Sequence, residues 1–409
     1  MNNVYTAKQR ELLRLWQKNK LKRINLLEGS VSSGKTWISL VLWSFWVATS
    51  SRNGNYLMVA KTLTSLRRNC LDLLEDLVGT ANFTYSLSKK EGSLFGRRIY
   101  LEGVNDARAE SKIRGMTLTG AYCDEVTLFT KDFFSMLLSR LRQDGAKLIG
   151  TTNPDSPYHW LRTEYIERAE KGEIDMLTMK FLIDENTFLP AEYVENAKKE
   201  HVGVFYDRFI LGEWVVANGL VYPNFDEKKH VIDYSPPKKD EKDNGLYYIS
   251  IDYGTQNPCS MGLWRLADGK AIRIREYYHD GRKTRRQLTD EDYYTELEVL
   301  AGDRSIQFVI VDPSAASFIA CIKKHGRFGV KKGANDVLDG IRVTATLLNT
   351  GRILFDRSCT DTIKEFKTYS WDENASADSV VKENDHAMDD IRYFCYTVLR
   401  REWHWDDWR

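Results

Sequence analysis

Two sets of residues have the types and spacing to do chemistry. The first is the run GSVSSGKT, Gly29 to Thr36, with the pattern G-x-x-x-x-G-K-[ST]. Such a run suits a loop that turns backbone N–H groups inward around phosphate oxygens. Gly29 and Gly34 permit the turn, Ser30, Ser32 and Ser33 line it, Lys35 reaches the β- and γ-phosphates, and the Thr36 hydroxyl suits Mg²⁺. A Gly/Ser-rich turn is the bland alternative. The place of the run, between the apolar strand INLLE and an apolar helix, favours phosphate, with ATP and Mg²⁺ as the expected ligands. Downstream, LTGAYCDE ends in two adjacent carboxylates. Asp124 would hold Mg²⁺ through water, and Glu125 would orient or deprotonate an attacking water. AKLIGTTNP ends in Thr151, Thr152 and Asn153, which either sense the γ-phosphate or form a turn before Pro154. Gln9 lies on an early helix, where it either reads adenine through its amide or is simply an exposed helical residue.

The second set is carboxylate. Asp252 ends YYISID and Asp312 ends IQFVIVD, each where a strand passes into a loop. In DHAMDDIRY, Asp385 and Asp389 are four apart and share a helical face, with His386 and Asp390 beside them. Like charges brought together repel, and divalent cations are the natural remedy. Oxygen donors without Cys, with His at most auxiliary, suit Mg²⁺ or Mn²⁺ rather than zinc. Two such ions about 4 Å apart would activate water on one side of a phosphodiester and stabilise the leaving oxygen on the other. Any one of these Asp residues alone is a helix cap or a surface charge, so the chemistry requires the three segments to converge. The basic clusters RKTRR (Arg282 to Arg286), KKHGR (Lys323 to Arg327) and Lys331-Lys332 either grip a phosphate backbone or form solvated loops. The ending EWHWDDWR exposes Trp403, Trp405 and Trp408, either to a partner or back onto its own domain.

The elements that must position these groups fall into two α/β patterns. Before residue 233, the apolar runs RINLLEG, NYLMVA, LTGAYCDE and AKLIGTTNP alternate with helical patterns such as KTLTSLRRNCLDLLEDLVG and KDFFSMLLSRLRQ. That alternation predicts a mainly parallel sheet with crossover helices. We place this core at 1–185 and a small helical subdomain, AEYVENAKKEHVGVFYDRFILGEWV, within 186–232. DYSPPKKDEKDNG, 233–245, has almost nothing to bury and reads as a linker. In 246–409, strand LYYISIDYG, strand SMGLWRL, turn ADGK and strand AIRIREYY precede a helix, IQFVIVDPS and further helices. Asp268-Gly269 is a hairpin signal, and the whole has RNase H-like order.

Composition limits the class. In 409 residues, 42% hydrophobic and 29% charged, with 26 Gly and 8 Pro, the chain is globular rather than disordered, and long enough for two or three cores. Its 59 Lys and Arg nearly cancel 58 Asp and Glu, so any nucleic-acid contact is local. Trp37 to Ala48, the longest apolar run, is shorter than the ~18–20 residues that span a bilayer, which predicts a buried helix and no membrane. Nothing in MNNVYTAKQRELL resembles an export signal, and the six scattered Cys suit a reducing, intracellular compartment.

The order strand–GSVSSGKT–helix, AYCDE, GTTNP, GEWVVANGLVYPNF, SIDYG, IVDPS and DHAMDDIRY resembles the large terminase subunit of tailed double-stranded DNA bacteriophages, across essentially the whole chain. The resemblance implies an N-terminal ATPase of the additional-strand catalytic Glu type that pumps double-stranded DNA into a procapsid, and an RNase H-like nuclease that cuts the concatemer. It further implies a portal protein and a small terminase subunit as partners, a ring of subunits on the procapsid with a monomer in solution, and the cytoplasm of an infected bacterium. By resemblance, Lys35 and Thr36 fall on Walker A, Asp124 and Glu125 on Walker B and the catalytic Glu, and Thr151 to Asn153 on the coupling motif. Asp252, Asp312 and Asp389 fall on metal ligands, with His386 accessory; Asp385 and Asp390 stay open as alternatives for the third. Arg114, in KIRG, matches an arginine finger. Many relatives carry R-S-G-K where this chain has Ser32-Ser33-Gly34-Lys35, so either Arg67 or Arg68 supplies that charge or hydrolysis depends more on a neighbour. A helicase–nuclease of repair or restriction and a nucleotide-binding assembly adaptor are the rival functions.

Overall fold

The computed structural model describes residues 4–50, 54–104, 109–237, 243–254, 257–372, 375 and 378–400. The chain forms two compact units: Met1–Asn196 with Tyr206–Val216, and Ala197–Phe205 with Ala217–Arg409. Residues 186–232 are thus shared between them. The segment 233–245 lies between Val231–Ile232 and Leu246–Asp252, both strands of the second unit's sheet. The tryptophans at 403, 405 and 408 lie outside the described residues.

The first unit carries an eight-stranded sheet in the order Phe83–Ser86, Glu91–Leu94, Arg97–Gly103, Tyr56–Ala60, Gly120–Cys123, Lys147–Thr152, Ile24–Gly29 and Met176–Phe181. From Arg97–Gly103 onward all neighbours are parallel, and the first two strands are antiparallel additions. The four apolar runs of the sequence are four adjacent strands at its centre. Covered on both faces, they need apolar residues on both sides. Leu27, Met58, Tyr122 and Ile149 face Ile38, Leu42 and Trp43 of the helix Lys35–Thr49. Their neighbours Leu26, Leu57, Ala121 and Leu148 point the other way, toward Ile113, Phe133 and Leu137. Alternating side-chain direction along a strand produces this division. The strands FTYS, EGSL and MLTMKF were not expected, because partial burial leaves them without an apolar run. The long helical pattern after Lys61 folds as Leu63–Leu66, a π turn Arg67–Leu71 and Asp72–Val78.

The second unit's sheet has the order Val330–Lys332, Ile306–Val311, Leu246–Asp252, Cys259–Ala267, Lys270–His279, Ile353–Asp356 and Val231–Ile232. Its three middle strands form an antiparallel meander, flanked on each side by parallel pairs; the core is RNase H-like, as expected. The hairpin turn is the two residues Asp268 and Gly269, both with positive φ (52° and 70°), as a tight hairpin demands.

The helix His386–Phe394 is tied to this sheet by charge. Asp390, wholly buried, receives the Arg273 guanidinium, with Nη2 at 2.9 Å, and the Ser250 hydroxyl at 2.8 Å; Ser260 also donates to it. Gly262 leaves room for that guanidinium, since a Cβ there would stand 2.0 Å from Arg273 Nη1. Removing one partner of a buried pair strands the other charge. Arg273→Met is therefore expected to cost about 3–5 kcal/mol in urea unfolding of the full chain, with most of it recovered on adding Asp390→Leu. Equal instability of single and double variants would contradict a charge-based tie.

Candidate functional site

In the first unit, Gly120–Cys123, Lys147–Thr152 and Ile24–Gly29 are parallel neighbours, so their carboxyl ends share one edge of the sheet. That edge brings together Asp124, Glu125, Thr151, Thr152, Asn153 and the loop 29–36. Gly29, at φ 128°, passes so close to the next strand that a Cβ would stand 2.0 Å from the Phe181 carbonyl oxygen. Gly34, at φ 82°, caps the helix Lys35–Thr49. Of the loop amides, those of Ser30 and Val31 do not turn inward: they donate to the carbonyls of Phe181 and Phe209, at 2.9 and 2.8 Å, and anchor the loop. Ser33 Oγ donates to the Ser30 carbonyl at 2.9 Å.

Lys35 is buried, with Nζ 2.6 Å from the Ser30 carbonyl oxygen and 3.0 Å from Asn153 Oδ1. Burial pushes its ammonium down to about 8, against the opposing pull of Glu125, Asp124 and Glu28. Asp124 is buried too, and burial raises its carboxyl, while bonds from Asn69 (3.1 Å) and Thr151 (3.0 Å) favour the charge. Glu125 has the left-handed φ of 55°, and both its oxygens receive Asn153 Nδ2 at 3.1 Å. Asn153 thus joins the lysine to the glutamate. Thr151 Oγ1 accepts the Glu125 amide at 3.3 Å, and Thr152 Oγ1 the Thr127 amide at 3.1 Å, so both hydroxyls hold the carboxylate turn in place. Thr36 follows Lys35 at the helix start and is half-buried.

Gln9 is buried rather than an exposed helical residue. Its Oε1 accepts the Thr6 amide at 2.9 Å in a capping box, and its Nε2 lies 2.8 Å from where a Cβ of Gly34 would stand. Arg114 is exposed after the helix Ala109–Ile113, where its carbonyl accepts from Arg140. No side-chain contact links it to the loop among the described residues. Ser32, where the resemblance expects Arg, has φ 52°, lies 2.7 Å from Tyr193 Oη and accepts Asn186 Nδ2 on its carbonyl at 2.8 Å. Arg67 and Arg68 are exposed on the π turn, with Arg67 paired to Asp72; it is Asn69 of that turn that reaches Asp124. Under the loop, Trp214 Nε1 donates to Glu28 at 2.7 Å.

In the second unit, Asp252 ends the strand Leu246–Asp252 and Asp312 follows its parallel neighbour Ile306–Val311, so both emerge at one edge. The helix His386–Phe394 delivers the rest: His386 Nδ1 lies 2.8 Å from Asp252 Oδ2, and His386 Nε2 3.9 Å from Asp385 Oδ1. Burial pushes the Asp252 carboxyl up to about 7, with the charges of Asp389 and Asp312 raising it further and His386 opposing. For His386, burial works against the charge, but Asp252 and Asp385 outweigh it and raise the ring above its ordinary value. Asp389 receives Arg392 at 3.1 Å. Lys382 lies 3.3 Å from Asp385 and 3.5 Å from Asp389. Asp390 faces the other way, into the Arg273 pair, which removes it as a candidate for the third ligand. Crowded carboxylates with one charge driven toward neutrality are, by chemistry, oxygen donors of the kind a hard divalent ion takes; among the described residues the group whose ligand atoms already lie within 4.8 Å of one another is Glu291, Cys321 and His325 instead.

The same edge carries basic residues. Cys259 pairs with His279, and Val311 with Lys332, so the exposed Arg282–Arg286 turn and Lys331-Lys332 both sit at the end of the sheet that holds Asp252 and Asp312. KKHGR ends the helix Ala316–His325, where Lys324 and His325 pair with Glu291 and Arg327 with Glu298.

A P-loop unit and an RNase H-like unit in one chain define a nucleotide-binding protein with an acidic second site. The family model described as phage terminase large subunit matches residues 22–204. The terminase large subunit of Escherichia phage T5 is 23% identical over 197 residues, 46% of this chain and 44% of that one; the chain thus matches less than half the length of this curated relative. The solved large terminase of a thermophilic bacteriophage is 36% identical, covering 97% of this chain and 100% of that one with a TM-score of 0.90. The same enzyme in complex with ATP-γ-S matches with a TM-score of 0.87 over 97% of this chain and 99% of that one, again at 36% identity. The chain belongs to the phage terminase large-subunit family. Among the described residues no helix is long and apolar enough to cross a membrane.

Sequence reasoning overlooked Asn69, Trp214, Tyr193 and Arg273, whose partners lie far away in the chain, and Lys382, whose partners Asp385 and Asp389 are near in sequence but meet it only through the turn before the helix. Arg392 was visible as the Arg of H-x-x-D-x-x-R-Y, without a role. Asn153→Ala cuts the link between Lys35 and Glu125. It is expected to leave ATP affinity within about threefold and to slow hydrolysis by about ten- to a hundredfold, checked by nucleotide titration and phosphate release.

Proposed function

We propose that this chain is a DNA-packaging motor in which ATP hydrolysis by the first unit moves double-stranded DNA into a procapsid and a two-metal endonuclease in the second unit cuts it. We take residues 1–185 as the ATPase core and 246–409 as the nuclease. The observation that carries the proposal is that His386 lies between Asp252 and Asp385 while the charges of Asp389 and Asp312 act on Asp252, in the same chain as a P-loop whose Lys35 is joined through Asn153 to Glu125.

In the ATPase reading, Lys35 and the loop amides bind the β- and γ-phosphates, Thr36 and Asp124 serve Mg²⁺, and Glu125 orients the attacking water. The left-handed turn at Glu125 is strained for a residue with a side chain, and such strain suits a group held for catalysis. Gln9, whose Oε1 takes the Thr6 amide and whose Nε2 lies beside Gly34, would read adenine through that Nε2. Thr151, Thr152 and Asn153 would couple the state of the phosphates to the carboxylate turn. Arg114, exposed, would act on the nucleotide of a neighbouring subunit in a ring, compensating for the Ser at position 32.

In the nuclease reading, Asp252, Asp312 and Asp389, with Asp385 beside them, would hold Mg²⁺ or Mn²⁺. Two such ions, when bound, activate water and stabilise the leaving oxygen. His386 would orient Asp252 and hold a proton near the cleavage point. Arg282, Arg285, Arg286, Lys331 and Lys332, at the same sheet edge, would track the DNA backbone. A portal protein and a small terminase subunit would position the ring and select the DNA, in the cytoplasm of the infected bacterium.

Glu125→Ala is expected to keep ATP binding and lower hydrolysis by about 10²–10⁴-fold. Asp252→Ala is expected to abolish plasmid cleavage in Mn²⁺ while DNA-stimulated ATPase persists. Strand unwinding by the purified protein would favour the helicase–nuclease alternative instead, and absence of ATP turnover with or without DNA would favour the adaptor.

A further inference from the structure

Lys382 lies between two carboxylates of the proposed ion site, and we propose that it is the site's own counter-cation, which Asp385 and Asp389 exchange for a divalent ion. This inference rests on the metal reading above. Asp385 and Asp389 are four residues apart at the start of one helix, and they are only 4% and 9% exposed, so their repulsion is poorly screened. Their oxygens divide the work. Oδ1 of Asp389 takes Arg392, and Oδ1 of Asp385 faces His386, while Oδ2 of each faces the Lys382 ammonium, at 3.3 and 3.5 Å.

The placement is built into the chain. Asn384 adopts a left-handed φ of 52° and turns the backbone into the helix. Two residues before Lys382, Val380 bridges Trp371, and the Val381 amide donates to the Ser370 carbonyl at 3.0 Å, so the loop is fastened on its other side. The two cations differ in their freedom to leave. The Arg392 side chain is 2% exposed, whereas that of Lys382 is 64% exposed and can swing into water without opening the core. A divalent ion gathers several oxygens around two charges, and an ammonium offers three donors around one, so the ion wins at sufficient concentration. Lys382 therefore holds the helix start together in the ion-free protein and sets the concentration of ion that must be exceeded.

The test uses the full chain without nucleotide. Calorimetric titration with Mn²⁺ and melting in EDTA are compared for the wild type, Lys382→Gln, Lys382→Arg and Asp252→Asn. For Lys382→Gln, half-saturation is expected at roughly three- to tenfold less Mn²⁺, with a lower melting temperature in EDTA and a larger rise on adding Mn²⁺. Lys382→Arg keeps the charge and stays near the wild type. Unchanged or weaker Mn²⁺ binding in Lys382→Gln, where wild-type binding is abolished by Asp252→Asn, overturns the counter-cation alone. A shift in Lys382→Arg as large as in Lys382→Gln overturns it too. A wild type that binds no Mn²⁺ overturns the metal reading and this inference together.

Discussion

Charge that is taken out of water must be answered locally, and both units are organised around that requirement. In the second unit, four acidic side chains of the helix start and the strand ends crowd one sheet edge. His386 answers Asp252, Arg392 answers Asp389, and Lys382 spans Asp385 and Asp389. Asp390 alone is answered from beneath, by Arg273 on the sheet, and that pair fixes the rotation of the helix that carries the others. In the first unit the signs are reversed. There a buried ammonium, Lys35, is the charge to be answered, and Asp124 and Glu125 answer it from the end of the strand Gly120–Cys123, two places across the sheet.

Neutral groups do much of the positioning. Asn153 accepts from Lys35 with one end of its amide and donates to Glu125 with the other, which a charged side chain could not do. Thr151 and Asn69 supply donors that favour the charged form of Asp124 against the burial that raises its carboxyl. Such hydrogen bonds hold groups in place before a reaction begins and so remove reorganisation from the reacting step. They also explain how an apparently ordinary polar stretch, GTTN, touches both Asp124 and Glu125 at once.

The segments after the first sheet brace the phosphate loop. Phe209 takes the Val31 amide, Trp214 reaches Glu28, and Asn186 and Tyr193 hold Ser32 from the side. The loop is therefore supported by chain that lies about 150 to 190 residues downstream. Family membership gives this arrangement a context: the GEWV stretch that stood out in the sequence is a structural prop of the loop.

Local pattern by itself determined the elements and the chemical types. Spacing of glycines declared the phosphate loop, apolar runs declared the central strands, Asp268-Gly269 declared the hairpin, and an interval of four put Asp385 and Asp389 on one face, because each of these depends only on near neighbours. Half-buried strands such as MLTMKF escaped notice, since their burial depends on what lies against them. Tertiary structure decided which acids meet: only the folded sheet order sets Asp252 beside Asp312, and only the depth of the helix separates Asp389, at the edge, from Asp390, under it. The choice was invisible in the chain because adjacent residues on a helix point about 100° apart, and which direction faces solvent is settled by the surface the helix lies on.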